Sequence, residues 1–383
     1  MRRYANENIM IFEKLRLVNF RNYQDVTVSF SSRINFLVGE NGQGKTNLVE
    51  ALYLLTNGTS FRYSNNLALI NTSKTETIIQ SLIKMNELNY KISLYLSKSR
   101  KNLTINEKRV SITNIKRDFT TVIFSPESLS SIKEGSDYRR ELIDDFLITF
   151  DKKNSELISE YGKVLRTRNK VLRNFKQGIH DKLITQNLLA SLNPIFVRLG
   201  ADLTYMRIRA LHGLAKDLNN AMQYITGDNQ NDLSVEYKAS DQNILELNRD
   251  EIGDLIQRRI LELSDSELLN STSLVGPHKH EIVFLYGQKD SRFYCSQGQQ
   301  RAIILSFKMA QIVYHRKAHG TYPVLILDDV LSELDKAKKE ALIKFLHEIN
   351  TQIFITTTDI TLPEVFSLDE ISVSKVKDGQ ILL

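Results

Sequence analysis

A glycine-rich turn set between a short apolar run and an apolar-periodic stretch leaves this chain few possible folds. Ile34-Asn-Phe-Leu-Val38 feeds Gly39-Glu40-Asn41-Gly42-Gln43-Gly44-Lys45-Thr46, and Leu48, Val49, Leu52 and Leu55 recur behind it at helical spacing. Strand, G-x4-G-K-T loop and helix in that order make a phosphate cradle. Glycines let successive backbone N–H groups turn inward, and the helix N-terminus adds positive potential where phosphates sit. In such a cradle Lys45 reaches the terminal phosphates and Thr46 holds Mg2+.

Two distant segments complete the pattern. Val324-Leu-Ile-Leu-Asp328-Asp329 reads as a buried strand that delivers two carboxylates at its tip. Asp328 is expected on the metal, directly or through water, and Asp329 beside the attacking water. Paired aspartates after an apolar run can equally be a strand-end turn; the Lys45 loop favours the catalytic reading. Ser296-Gln-Gly298-Gln299-Gln-Arg301 precedes an apolar-periodic stretch through Ile303, Ile304, Phe307, Ala310 and Ile312. A serine there is first a helix cap. The same tip is suited to meet the terminal phosphate of a nucleotide held by another copy.

Along the chain the pattern changes character twice. Residues 11–99 read as strands, with Val26, Val28 and Phe30 and then Tyr90, Ile92, Leu94 and Leu96 in alternation. Val122–Ser125 reads as one more. After Ser130, apolar residues fall three and four apart: Tyr138, Leu142, Phe146 and Phe150, then Leu157, Tyr161, Val164 and Leu172, and later Leu203 to Met222. Gly178, Pro194 and Gly227–Asp232 punctuate these segments, and Ile244–Leu263 reads as a third helical run. From Gly276 strands and helices alternate, beginning with Glu281–Tyr286 and including a helix near Lys336–Ile349 and a strand at Ile353–Thr357. The expected organisation is therefore an α/β nucleotide-binding head made from residues 1–130 and 275–383, its sheets mixing strands from both chain ends, with a mostly helical lobe at 131–274.

Size and composition are compatible with this plan. A chain of 383 residues with 42% hydrophobic and 25% charged residues is ordinary for a soluble globular protein. No stretch approaches the roughly 18 apolar residues of a membrane helix, and a single cysteine, Cys295, excludes an internal disulfide framework and suits a reducing compartment. A cytoplasmic protein without a membrane partner is the expectation. Met10, next to the first patterned strand, could itself be a start. The net charge of +6 suits a polyanionic partner.

The motifs together resemble the head domains of the ABC and SMC/Rad50 ATPases and, in more detail, the RecF family of bacterial DNA repair and recombination ATPases. The resemblance rests on Leu17-Val-Asn-Phe-Arg21-Asn-Tyr23, Gly39 to Asn47, Phe124-Ser-Pro-Glu127, Ser296 to Arg301, Leu327-Asp-Asp-Val-Leu-Ser332-Glu-Leu-Asp335 and Ile355-Thr-Thr-Thr-Asp359. It implies an ABC/SMC-type fold that binds ATP and Mg2+ and hydrolyses ATP slowly with stimulation by DNA. Two copies would close on two nucleotides, Lys45 of one facing Ser296, Gly298 and Gln299 of the other, with Ser332 and Asp335 along the seam. Arg21 and Asn47 would join the nucleotide site. The partners implied are gapped or junction DNA, RecO and RecR, in support of RecA loading. Lys279-His-Glu281 stands where the family usually has Arg-Asp-Asp, and Thr356 to Thr358 stand where transporters carry a switch histidine.

Basic residues cluster at Lys98, Arg100 and Lys101, at Arg139 and Arg140, and over Lys163 to Lys176. Arg166, Arg168, Lys170 and Arg173 of the last group are the candidate DNA contacts, with helical spacing that gathers Arg166, Lys170 and Arg173 on one face. A solvated surface is the competing reading for each cluster. Without interleaved aromatic residues, backbone contact independent of base sequence is expected. Two other classes share the phosphate motifs. A transporter ATPase subunit would need a shorter segment between Thr46 and Ser296, and a structural SMC-like organiser would need far more heptad sequence than 131–274 holds.

Overall fold

The computed structural model describes residues 9–62, 65–130, 132–133, 135–148, 151–358, 366–367 and 370–382. Phe150 and Asp359, which figure in the sequence reading, lie outside the described residues. Two compact units emerge: Met1–Ser130 with Asn220–Asp228 and Ser296–Leu383, and Ser131–Asn219 with Asn229–Cys295.

The first unit opens with β1 (Ile11–Phe20), β2 (Tyr23–Ser29), β3 (Ile34–Val38), α1 (Lys45–Asn57), β4 (Glu76–Met85), β5 (Leu88–Ser97), β6 (Lys101–Ile105), β7 (Lys108–Arg109), α2 (Ile112–Asp118), β8 (Thr121–Phe124) and α3 (Pro126–Ser130). The second unit contains α4 (Ser136–Ile148), α5 (Lys152–Lys176), most of α6 (Lys182–Thr226), β9 (Leu233–Ala239), β10 (Gln242–Asn243), α7 (Arg249–Glu262), α8 (Ser264–Asn270), β11 (Glu281–Tyr286), β12 (Lys289–Asp290) and α9 (Ser291–Tyr294). The first unit resumes with α10 (Gln297–His319), β13 (Val324–Asp328), α11 (Lys336–Glu348), β14 (Ile353–Thr357), β15 (Ile371–Lys377) and β16 (Gln380–Leu382).

Two six-stranded sheets organise the first unit, in the orders β2-β1-β4-β5-β6-β7 and β16-β15-β3-β14-β13-β8. The first is antiparallel, which explains the alternation of Ile92, Leu94 and Leu96 with polar residues: one face is packed and the other is not. In the second, β15, β3, β14, β13 and β8 run parallel, so strands from both ends of the chain share one sheet, as expected. Every residue of β3 and β13 is buried, the condition that unbroken apolar runs in parallel strands satisfy. Helix α1 touches β4 and β5 of one sheet and β8, β13 and β14 of the other. It is buried from Leu48 through Thr56, Glu50 included, as a helix covered by two sheets must be.

The second unit departs from the sequence reading in several places. Residues 233–239 form a strand inside the supposed helical lobe, and β11 pairs antiparallel with it rather than joining the sheets of the first unit. The resulting sheet runs β10-β9-β11-β12, and the unit extends to Cys295 rather than stopping at 274. Strand β9 was hidden because Leu233, Val235, Tyr237 and Ala239 alternate over only seven residues between polar loops. Helix α7 starts at Arg249, five positions after Ile244, because Asn248 and Glu251 form a reciprocal capping box that satisfies both ends of the first turn. Pro194 does not end a helix: α6 runs 45 residues through it. Pro194 and Ala190 are both exposed, so the carbonyl freed by the missing N–H faces solvent while buried Leu189, Phe196 and Leu199 hold the opposite face.

Among the described residues Arg168 is the largest fully buried side chain, and it is not a surface cation. Its guanidinium pairs with Glu267 at 2.6 Å, donates to Ser273 Oγ at 2.8 Å and to Asn193 Oδ1 at 3.2 Å, and lies over the Phe196 ring. Arg139 and Arg140 are buried as well. The first pairs with Glu281 at 2.7 Å and donates to Ile282 O, and the second donates to His280 O, tying α4 to β11. Desolvated arginines persist only when every fork of the guanidinium finds an acceptor. Arg168→Ala is therefore expected to cost about 3–5 kcal/mol of unfolding free energy in urea, because Glu267 is left charged and buried. Arg166→Ala on the exposed face should stay within about 0.5 kcal/mol.

Candidate nucleotide-binding site

Strand β3 lies between β14 and β15, and its C-terminal end delivers the glycine loop from the interior of the parallel sheet. A glycine is required at the first position, since a Cβ on Gly39 would lie 2.3 Å from the carbonyl oxygen of Val376. Gly44, at φ 114°, turns the chain into α1, which has no side-chain cap and no acidic residue in its first turn. The leading N–H groups of α1 therefore keep their donors for an anion. Glu40, Asn41 and Gly42 form the exposed crest of the loop. The buried Lys45 side chain folds back, its Nζ donating to the carbonyls of Gly39 at 2.5 Å and Glu40 at 2.8 Å. Burial lowers its pKa from the usual lysine range, opposed by the carboxylates of Asp329 and Asp328.

The two aspartates occupy different surroundings. Asp328, at the buried tip of β13, accepts a hydrogen bond from Thr46 Oγ1 at 2.9 Å and another from Thr356 Oγ1 at 2.8 Å. Burial raises its pKa, while the two hydroxyl contacts pull it back down. Asp329 stands in the left-handed region at φ 51°. Its N–H donates to Thr356 Oγ1 at 2.9 Å, and Ser332 Oγ donates to its carbonyl at 2.7 Å and to its Oδ1 at 3.0 Å. One threonine thus holds the carboxylate of Asp328 and the backbone of Asp329. Sequence reasoning placed Thr356 where transporters carry a histidine but did not give it this task, because the pairing of β13 with β14 that brings it there spans 28 positions. Thr46 and Asp328 offer oxygen donors of the kind Mg2+ prefers, in the small number it takes from protein when phosphates and water supply the rest.

Ser296 caps α10, as the simplest reading of its sequence required: its Oγ accepts from Gln299 N–H at 3.3 Å, and Gln299 Oε1 accepts from Ser296 N–H at 2.8 Å. Serine and glutamine are both spent on their own helix, and the exposed tip presents Ser296 and Gln297 outward. At Gly298 a Cβ would meet Lys338 Nζ and Ser296 Oγ at 3.9 Å, an ordinary van der Waals contact. Arg301 donates to Glu333 O at 2.8 Å and pairs with its carboxylate, coupling α10 to the segment that follows Asp329. Asp335 caps α11 and pairs with Lys338, which lowers its pKa. Ser332 and Asp335 are both exposed.

Arg21 forms a bidentate pair with Glu50 of α1, at 2.8 and 3.0 Å, and Ser60 Oγ donates to the same carboxylate. Glu50 is completely buried, and a buried carboxylate needs such a partner. Through Nε and Nη2 the guanidinium secures α1. Asn47 binds Asn22 Oδ1 at 2.8 Å and accepts from Arg62 at 3.1 Å. Of the basic candidates, Arg166, Lys170 and Arg173 are exposed on α5, whereas Arg168 faces inward. Between Tyr161 and Lys176 the helix carries no acidic residue. In the first cluster Lys98 and Arg100 are exposed, while Lys101 donates to the Gly58 carbonyl and burial lowers its pKa. No helix of the described residues is long and apolar enough to cross a membrane.

Residues 11–380 match the family model of the RecF/RecN/SMC N terminal domain. The chain is 33% identical over 380 residues to the DNA replication and repair protein RecF of Alkaliphilus oremlandii, covering 97% of this chain and 100% of that one. With RecF of Ligilactobacillus salivarius it shares 32% identity over 375 residues, covering 94% and 96%. It superposes on the solved structure of the recombination mediator protein RecF-ATPrS in the RecFOR pathway with a TM-score of 0.86 and 28% identity over 99% of both chains. An Smc head domain derived from Pyrococcus furiosus, at 17% identity and a TM-score of 0.55 over 97% of this chain and 95% of that one, shares the fold alone. On these grounds the chain belongs to the RecF family of the RecF/RecN/SMC N-terminal-domain proteins.

Proposed function

We propose that this protein is an ATP-dependent DNA-binding protein of recombinational repair and replication-fork maintenance, which closes as a homodimer on two ATP molecules. The observation that carries the reading is the contact of Thr46 with Asp328 beneath the Lys45 loop, with Thr356 linking Asp328 to Asp329. Lys45 would neutralise the terminal phosphates, and Thr46 and Asp328 would hold Mg2+, which supplies charge neutralisation at the phosphates. Asp329 orients the attacking water, in a slow, DNA-stimulated hydrolysis that reopens the dimer. The exposed tip of α10 from the second copy adds its N–H dipoles to the γ-phosphate, while Ser332 and Asp335 meet across the seam. The likeness to RecF-ATPrS, a recombination mediator protein of the RecFOR pathway, supports ATP as the nucleotide and RecO and RecR as partners. The proposed site of action is gapped or junction DNA, where RecA is loaded.

The acid-free half of α5 supplies Arg166, Lys170 and Arg173 for backbone phosphates. Light scattering and gel shifts on gapped duplex test the whole reading. Wild-type protein should dimerise with ATP and Mg2+ and bind gapped DNA more tightly than it does with ADP. Ser296→Arg should bind ATP yet remain monomeric. Arg166→Glu with Lys170→Glu should weaken duplex binding and flatten its salt dependence by about 0.9 in log-log slope for each phosphate no longer neutralised. A wild-type protein that stays monomeric and holds DNA equally with ATP, ADP or neither would end the proposal.

A further inference from the structure

The phosphate loop is gripped from outside by two hairpin turns that come from opposite ends of the chain. The first joins β1 to β2, where Phe20 pairs with Tyr23 across Arg21 and Asn22. The second joins β15 to β16, where Lys377 pairs with Gln380 across Asp378 and Gly379. Asp378 and Gly379 both have positive φ, 50° and 71°, the two-residue turn that suits the twist of a hairpin. Both turns converge on Gln43. Its carbonyl accepts from Asn22 Nδ2 at 3.0 Å and from Gly379 N–H at 3.2 Å, and its side-chain Oε1 accepts from Asp378 N–H at 2.6 Å. The next carbonyl, Gly44 O, accepts from the buried Tyr23 hydroxyl at 3.0 Å.

A trans peptide plane points its C=O and its following N–H in opposite directions. Two carbonyls held outward therefore turn the N–H groups of Gly44 and Lys45 inward, where an anion would lie. We propose that Asn22 and the Asp378–Gly379 turn are positioning residues for phosphate binding, acting through Gln43, so that this late hairpin sets the affinity of a loop 335 positions before it. This rests on the nucleotide reading above. The turns are themselves locked together: a Cβ on Gly379 would lie 2.5 Å from the carbonyl oxygen of Asn22, so no other residue fits there without moving one of them. Asn22 is also held by Asn47, which leaves its amide one productive orientation.

Fluorescent mant-ATP with Mg2+, titrated into the full chain, tests the clasp. Asn22→Ala and Gly379→Ala should each weaken binding by about tenfold. Because both act on one carbonyl, the double variant should lose much less than the hundredfold product. Melting temperatures without nucleotide separate this from general damage, since Asn22 is exposed and its loss should leave melting nearly unchanged. Should Gly379→Ala fail to fold, Gln43→Ala, which removes the acceptor of Asp378 N–H and keeps the carbonyl that Asn22 holds, tests the same turn by its own loss of affinity. Wild-type binding with undiminished binding by both single variants overturns the clasp alone, as does full multiplication of their effects. A wild-type protein that binds no mant-ATP overturns the nucleotide reading and the clasp with it.

Discussion

Lys45→Met is expected to abolish measurable ATP binding, with affinity falling at least about a hundredfold in calorimetric titration. Methionine keeps most of the volume and the unbranched chain, so packing around α1 should survive. What disappears is the cation placed between the loop and the two aspartates. In the structure, Lys45 Nζ satisfies itself on the carbonyls of Gly39 and Glu40 and feels both Asp328 and Asp329. A bound triphosphate would bring several negative charges into that same low-dielectric corner. Without the ammonium, their mutual repulsion with two carboxylates stands unopposed, at several kcal/mol even under generous screening. The melting temperature offers a second readout: ATP with Mg2+ should raise it for the wild type and not for the variant, since only a ligand that binds the native state stabilises it. Equal stabilisation of both would rule out the loop as the phosphate site.

Asp329→Asn should separate binding from turnover. Asparagine tolerates the left-handed backbone nearly as well as aspartate, so the φ of 51° and the N–H bond to Thr356 can persist. The side-chain oxygen can also still accept from Ser332. The variant therefore loses charge and basicity with little change of shape. A residue that accepts or orients a proton in the transition state contributes about 10²- to 10⁴-fold, and single-turnover hydrolysis should fall by that factor while ATP affinity changes little. Because hydrolysis is proposed to reopen the dimer, ATP-bound dimers of this variant should outlive those of the wild type in light scattering. Unchanged hydrolysis would remove Asp329 from the chemistry and leave it as the turn residue that the sequence alone also allowed.

Legibility from the sequence varied with the kind of interaction. The glycine loop, the apolar run before Asp328 and the helix behind Ser296 could be read because each depends on consecutive residues. Their geometry is local, set by φ freedom, strand burial and capping. Thr356, Glu50, Asn22 and the Asp378–Gly379 turn could not be read, because each acquires its part from a neighbour brought close by sheet pairing. Arg168 is the sharpest case. It sits among five other cations in a helix segment without acids, so composition favours the surface. Yet it falls on the face shared with buried Tyr161, Val171 and Leu172, and its partner Glu267 lies 99 positions away.

By itself, then, the order of residues determined the cradle, its two acids, the capped helix tip and an α/β head assembled from both ends, since all of these follow from short-range backbone rules and apolar periodicity. The tertiary structure alone decided which charges are spent internally and which remain available. It turned Arg21 toward Glu50, buried Arg168, Arg139 and Arg140, placed Glu281–Tyr286 in the sheet of the second unit, and set two distant hairpins against Gln43. The reason is physical: the fate of an ion or a hydrogen-bonding group depends on its dielectric surroundings and its partners, and those exist only once distant strands and helices have met.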